Sequence, residues 1–509
     1  MSAGLEMGTA RARWVLAATI AGSGLASLDA TVVNVALARI GQDFGARFSA
    51  LQWISNGYTL TLAAFILLGG VLGDRYGRRR VFVVGTVWFA LASALCAAST
   101  GELMLIVARA LQGVGAALLT PGSLAIISAT FAPNDRARAI GAWSGLGAIA
   151  TAVGPFLGGW LVEVSWRLVF VINLPLAVVI VAVALRHVPE TRDDSLQGSS
   201  RRVDLPGAAC VVVALSAVTY ALTAAGQQGW TLSVIAFAVL GVVFGALFVL
   251  IERRTAAPLI PLEMFGFRVF TATNVVTVFL YAALSIVFFL LVLQLQVVAG
   301  WSPLAAGLAL LPTTVAMLLL SARFGELSQR VGARSLMSVG CLLAAAALAL
   351  ALRIGAQADY VRDVLPVALV LGLGLACAVA PLTAAVLAAA PVHLAGAASG
   401  INNATARSAG LLAVAVIPAA AGLSGSGIND AAALDRGFDQ AMLVGVALLL
   451  VAALVSWFGV GAPPYAAQTV ESAEPDRAAE EVLPIHRNYC CPVTGQSVHP
   501  PPLTSATRR

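Results

Sequence analysis

A carboxylate and a guanidinium stand deep in apolar stretches of this chain. Asp29 lies in the hydrophobic run 14–37, and Arg109 lies in the run 103–125, within Arg109-Ala110-Leu111-Gln112-Gly113. At about 1.5 Å of rise per helical residue, Asp29 is roughly 12 Å from the end of its run and Arg109 roughly 10 Å into its own, measured from the same side. An ionised Asp at a bilayer centre costs about 2.5–3.5 kcal/mol on insertion scales. Such a group must face protein or water, pair with a partner, or bind a proton, and a transporter uses the last option. A guanidinium at matching depth favours the charged carboxylate while desolvation opposes it, so the proton occupancy of Asp29 would follow the access of water. Plainer readings stand beside this one. Asp29 also fits a structural acid bonded to Thr31 or Asn34, and Arg109 also fits a side chain that snorkels outward or holds only Gln112 and backbone carbonyls.

Three further groups of residues carry possible chemistry. The loop around Gly70, Asp74, Arg75, Gly77 and Arg78 is short, charged and punctuated by glycine. Its acid can pair with a nearby Arg or cap a helix N-terminus, giving a contact that forms or breaks as helices move; a plain basic loop is the alternative. The fifth apolar run holds Gly154, Pro155, Gly158 and Gly159, small residues that let helices approach closely and a proline that removes one backbone bond. That pattern fits tight packing as well as a role in the transport cycle. Asn34, Gln112, Tyr281, Gln294, Gln296, Asn402, Asn403 and Arg407 are polar positions in apolar runs. They fit a cavity lining and equally fit interhelical hydrogen bonds, worth about 0.6 kcal/mol each on average.

The elements that must position these residues are membrane helices. The chain has 509 residues, 60% hydrophobic and 11% charged, where soluble domains carry about 25% charged residues. Fourteen apolar runs satisfy the length of roughly 20 residues needed to cross a bilayer: 14–37, 51–72, 81–99, 103–125, 140–162, 167–187, 206–225, 231–251, 271–297, 303–323, 335–353, 363–388, 396–420 and 440–460. The net charge of +6 does not indicate nucleic acid, because the arginines concentrate in alternate short loops and so report topology. That bias predicts a plasma-membrane protein with both termini cytoplasmic. Cys96, Cys210, Cys341 and Cys377 lie inside apolar runs, and the four histidines are scattered; neither a metal site nor a cofactor is expected. The acids near one face, Asp74, Asp204 and Glu252, are dispersed without partners at catalytic spacing, which argues against an enzyme.

A repeat orders the runs. Gly70, Leu72, Arg75, Gly77 and Arg79 share their spacing with Gly325, Leu327, Arg330, Gly332 and Arg334. The ninth run then corresponds to the first. The expected organisation is a cytoplasmic N-terminus (1–13), a six-helix bundle (14–187), linkers with an inserted hairpin (188–270), a second six-helix bundle (271–460) and a disordered cytoplasmic tail (461–509), in a chain acting as a monomer. Parallel repeats with the substrate between them are a secondary-transporter architecture.

Taken in order, several stretches resemble the major facilitator superfamily, most of all its fourteen-helix drug:proton antiporter branch. They are Leu28-Asp29-Ala30-Thr31-Val32-Val33-Asn34, the Gly70–Arg80 loop, Arg109–Gly113, Gly154-Pro155-x-x-Gly158-Gly159, Trp166-Arg167 through Asn173-Leu174-Pro175, Asp204-Leu205-Pro206-Gly207, and Ser399-Gly400-Ile401-Asn402-Asn403 through Arg407. The resemblance implies an all-α fold of two six-helix bundles related by a pseudo-two-fold axis, and export driven by protons through alternating access. It implies that Asp29 is the proton or cation site, Arg109 a proton-relay arginine, Asp74 a conformational latch and Gly154-Pro155 part of the antiport helix. Ala150 departs from the pattern, and no second carboxylate appears deep in the last six runs. Neutral or monocationic lipophilic compounds are therefore the expected substrates, either as a range of drugs or as one endogenous metabolite or antibiotic.

Overall fold

The computed structural model describes residues 5–192, 204–255, 258–390, 394–423 and 430–461. The polar tail expected to be disordered lies, from 462 onward, outside the described residues. The described chain is helical almost throughout, as apolar segments must be when only intrahelical bonds can satisfy the backbone in lipid. The first half comprises α1 (Ala10–Phe44), α2 (Phe48–Tyr76), α3 (Arg78–Ala97), α4 (Glu102–Thr130), α5 (Pro133–Val164), α6 (Leu168–Val171) and α7 (Asn173–His187). A hairpin follows, α8 (Leu205–Gln228) and α9 (Leu232–Arg254). The second half comprises α10 (Arg268–Leu293), α11 (Pro303–Ala309), α12 (Leu311–Val331), α13 (Ala333–Ala351), α14 (Leu365–Ala388), α15 (Ala395–Ala420) and α16 (Ala431–Gly459).

Two spans are broken. The sixth divides at Ile172 and the tenth at Leu310, where Pro175 and Pro312 cannot donate to the carbonyl four residues back. Thirteen helices among the described residues are long and apolar enough to cross a membrane, and α5 adds a shorter apolar length, Val153–Val164. Helices overrun the apolar runs that announce them: α1 is 35 residues long, and α16 begins at Ala431 rather than near 440. The longer α16 places Asp435 and Asp439 on its first turns, acids that the run 440–460 does not include.

The halves repeat one packing scheme. In the first, α1 packs on α5 and α7, α4 on α2 and α3, and α3 on α7. In the second, α10 packs on α15 and α16, α14 on α12 and α13, and α13 on α16. The repeated loop motif folds alike in both copies. Gly77 and Gly332 each form a one-residue turn with φ of 110° and 91°, a region glycine enters without steric cost. Each donates its N–H to the carbonyl four residues earlier, Gly73 or Ser328, at 3.0 Å.

The halves meet mostly at the end opposite these turns. There the buried apolar residues of α1, α2 and α4 join the second half in one cluster through Val32, Val35, Phe48 and Ile54. Nearer the arginine-rich end the first half keeps a separate core around Tyr58, Phe82 and Phe89, against which Ala404 packs from the second half. Gln296 donates to the Val35 carbonyl at 3.0 Å and Gln52 to the Val414 carbonyl at 2.7 Å. The hairpin lies beside this junction, α8 packing on both α2 and α15.

Candidate functional site

Arg109 and Gln112 are three residues apart on α4, so their side chains share a face. That face meets α1, α3 and α7 inside the first half. Arg109 Nη1 is ion-paired with Asp29 Oδ2 and donates to Gln112 Oε1 at 2.7 Å. The other carboxylate oxygen, Asp29 Oδ1, accepts from Gln112 Nε2 and from Asn173 Nδ2, both at 2.8 Å. Ser93 on α3 accepts from the same two amides at 3.2 and 2.9 Å and donates to the Phe170 carbonyl at 3.0 Å. The guanidinium also donates to the Ile54 carbonyl at 3.3 Å and lies 4.3 Å from the centre of the Tyr58 ring.

Small residues permit this arrangement. A side chain at Gly113 would overlap Thr61 and the Tyr58 carbonyl. With only hydrogen there, α2 approaches α4 closely enough for Thr61 Oγ1 to donate to the Ala110 carbonyl at 2.7 Å and for Tyr58 to cover the arginine. Asp29 and Arg109 are 0% and 1% exposed. Both are therefore sealed from water in this conformation, with the charge balanced and nearly every lone pair occupied, as a buried pair requires. The plainer sequence readings do not describe what is found. The partners of Asp29 are Arg109, Gln112 and Asn173, while Thr31 bonds the Ser27 and Leu28 carbonyls of its own helix. Ser93 and Tyr58 escaped the reading of the sequence; Asn173, an amide inside an apolar run, was named there only within a stretch that resembles the family, with no role of its own.

The other candidates fall into separate places. In the loop, Arg78 Nε donates to Asp74 Oδ1 at 2.8 Å, Arg75 lies over the Tyr76 ring, and Gly70 packs beside Pro121. Glu190, just beyond α7, was also missed. It accepts from the Arg79 N–H at 3.1 Å and lies 3.6 and 3.7 Å from the Arg79 and Arg80 guanidinium groups. On α5, a side chain at Gly154 would collide with Thr31 of α1, one at Gly158 would sit tightly at 3.1 Å from Val32 of α1, and one at Gly159 would come 2.7 Å from Leu304 Cα. The Pro155 carbonyl fills the space above Gly307. This helix is therefore pressed between the two halves.

The polar positions expected to line a cavity divide. Gln112 and Gln294 are wholly buried, and Gln294 bonds the Ile354 carbonyl and Asp435 inside the second half. Gln296 ties the halves together as described, and Asn402 donates to Thr277 at 2.7 Å and Asn274 at 3.4 Å. Asn34, Tyr281, Asn403 and Arg407 are half-buried. Among the described residues no group of acids, histidines and cysteines has the arrangement to hold a metal ion.

Two helical halves in one packing scheme, with an ion pair sealed in one of them, define a polytopic transporter fold. The Major Facilitator Superfamily model matches residues 19–415, and the chain belongs to that family, one of transporters rather than enzymes. It is 35% identical over 479 residues to the puromycin resistance protein of Streptomyces alboniger, covering 90% of this chain and 93% of the relative. It is 34% identical over 405 residues to the tetracenomycin C resistance and export protein of Streptomyces glaucescens, covering 79% and 74%. Among solved structures it is similar to a bacterial homolog of the human lysosomal transporter Spinster in an inward-facing, unoccupied conformation, with a TM-score of 0.63, 16% identity, and 89% and 98% of the two chains covered.

Proposed function

We propose that this chain exports a lipophilic drug or secondary metabolite across the plasma membrane in exchange for protons, with both termini cytoplasmic. The observation that carries the reading is the sealed Asp29–Arg109 pair, held in a chain whose relatives are named for drug resistance and export. A carboxylate that already holds a guanidinium and two amides takes up a proton only when that set is broken. Proton exchange therefore belongs to the conformation in which α1 and α4 part or water reaches between them. Protonation removes the charge that holds Arg109, and the freed guanidinium must then find other acceptors. This couples the proton to helix packing. The loop at Asp74 and Arg78, with Glu190, supplies contacts at the arginine-rich end that break and reform in the same cycle, and α5 transmits movement between the halves.

A transporter dedicated to one antibiotic is the second reading, favoured by relatives named after single compounds. A susceptibility screen in an efflux-deficient host separates the two: broad protection indicates a multidrug exporter, and protection from one compound a dedicated one. The coupling is tested in everted vesicles with a compound so identified. The Asp29→Asn protein is expected to lose uphill movement driven by an imposed pH gradient while retaining downhill exchange. Undiminished pH-driven export by that variant, expressed at the normal level, would refute coupling at Asp29.

A further inference from the structure

Gly400, Arg407 and Val414 are spaced by seven residues on α15, close to two helical turns each, so they share one face. Two of the three touch α2. A Cβ at Gly400 would lie 3.3 Å from Leu67 Cδ2, and the Val414 carbonyl accepts from Gln52 at 2.7 Å. Arg407 thus stands on the seam between the halves, midway between two tie points and about 10 Å along the helix from each. It is half-buried. The ion pairs among the described residues lie elsewhere and none includes Arg407.

The facing stripe of α2 carries Gln52, Asn56, Thr59, Ala63 and Leu67, which recur every three or four residues. Asn56 is 2% exposed, and its amide nitrogen has no hydrogen-bond partner among the described residues. The seam therefore presents two kinds of donor, a guanidinium and a buried amide, beside one unpartnered acceptor, Gln52 Oε1 at its far end, and neither 48–73 nor 395–420 contains an acid. Because α8 packs on both helices, the seam is screened by protein on that side.

We infer that Arg407 and Asn56 form the polar anchor of the substrate site, and that its substrate is a lipophilic compound bearing an acceptor-rich group, a carboxylate, phenolate or paired carbonyls, rather than a monocation. A guanidinium in a low-dielectric seam repels a cation and offers a planar fork that matches a carboxylate. This rests on the export reading above and replaces the neutral or monocationic substrate that the sequence suggests.

Equilibrium binding to the purified full-length protein, read by fluorescence anisotropy, tests the anchor with two dyes of one ring system. Fluorescein is the anion and tetramethylrhodamine methyl ester the cation. The wild-type protein is expected to bind fluorescein more tightly. Arg407→Gln is expected to weaken fluorescein at least about tenfold, about 1.4 kcal/mol, without weakening the cation. Arg407→Lys should retain part of the affinity, and Asn56→Leu should lose a smaller share, again for fluorescein alone; these two variants serve if Arg407→Gln does not fold. Tighter binding of the cation, absence of fluorescein binding, or equal losses for both dyes would overturn the proposal. Export is read separately in everted vesicles. Anion-selective binding without pH-driven movement would sink the export reading and leave the anchor standing, whereas export with a cation preference indifferent to Arg407 would do the reverse.

Discussion

The two halves pair their helices alike but distribute their polar groups differently. The first half buries a full ion pair, Asp29–Arg109, among five helices and seals it with Tyr58, Ser93 and Asn173. The second half holds itself together with neutral bonds, Asn402 to Thr277 and Gln294 to the Ile354 carbonyl, together with an acid near one end, Asp435. Its one charge within α15, Arg407, is half-buried and belongs to none of the ion pairs among the described residues. Under the proposals above, the duplicated packing scheme serves two purposes: a store of charge in the first half whose release reorganises helices, and donors at the seam that a ligand engages.

The comparison can be broken most severely at Arg109. Arg109→Gln leaves a buried carboxylate short of its counter-charge and should cost about 3–5 kcal/mol of stability. The double variant Asp29→Asn with Arg109→Gln should recover most of that loss. Thermal unfolding in detergent reads both, and a double variant no more stable than the single would mean that the pair is not the dominant coupling. The close helix approach can be probed next. A side chain at Gly69 would run into the Ala117 carbonyl, whereas one at Gly325 would lie 4.0 Å from Ala380 Cβ. Gly69→Ala should therefore cost about 1–3 kcal/mol, in line with overpacking elsewhere, while Gly325→Ala should leave the melting temperature unchanged. Equal effects would deny that the α2–α4 contact is the tighter one. The smallest change belongs to the neutral bonds of the second half. Asn402→Ala should cost about 0.6 kcal/mol, and a loss approaching that at Arg109 would show that the halves differ less than their chemistry suggests.

Much of this was legible before any coordinates. Run lengths defined the helices and their order, and the loop motif shared by Gly70–Arg79 and Gly325–Arg334 divided the chain into matching halves. The shared depth of Asp29 and Arg109 predicted that they could meet. Boundaries were read too short because helices continue into polar residues beyond the apolar run, which left Asp435 and Asp439 of α16 unnoticed. Gln112 and Gln294 were indistinguishable from cavity residues because an amide in an apolar helix looks the same whether it faces a chamber or a neighbour.

The amino-acid sequence by itself determined that there are membrane helices, in what order they come, and where along each apolar run the charges fall. Hydrophobic length and the need to bond every backbone group in lipid dictate those features locally. Only the tertiary structure decided direction: that Asp29 turns inward to Arg109, Gln112 and Asn173, that Tyr58 caps the pair, and that Gly400 and Val414 of α15 meet α2. A helix apolar nearly all round carries no stripe to announce which side meets protein. Its rotation about its own axis is settled by close packing against neighbours remote in the chain.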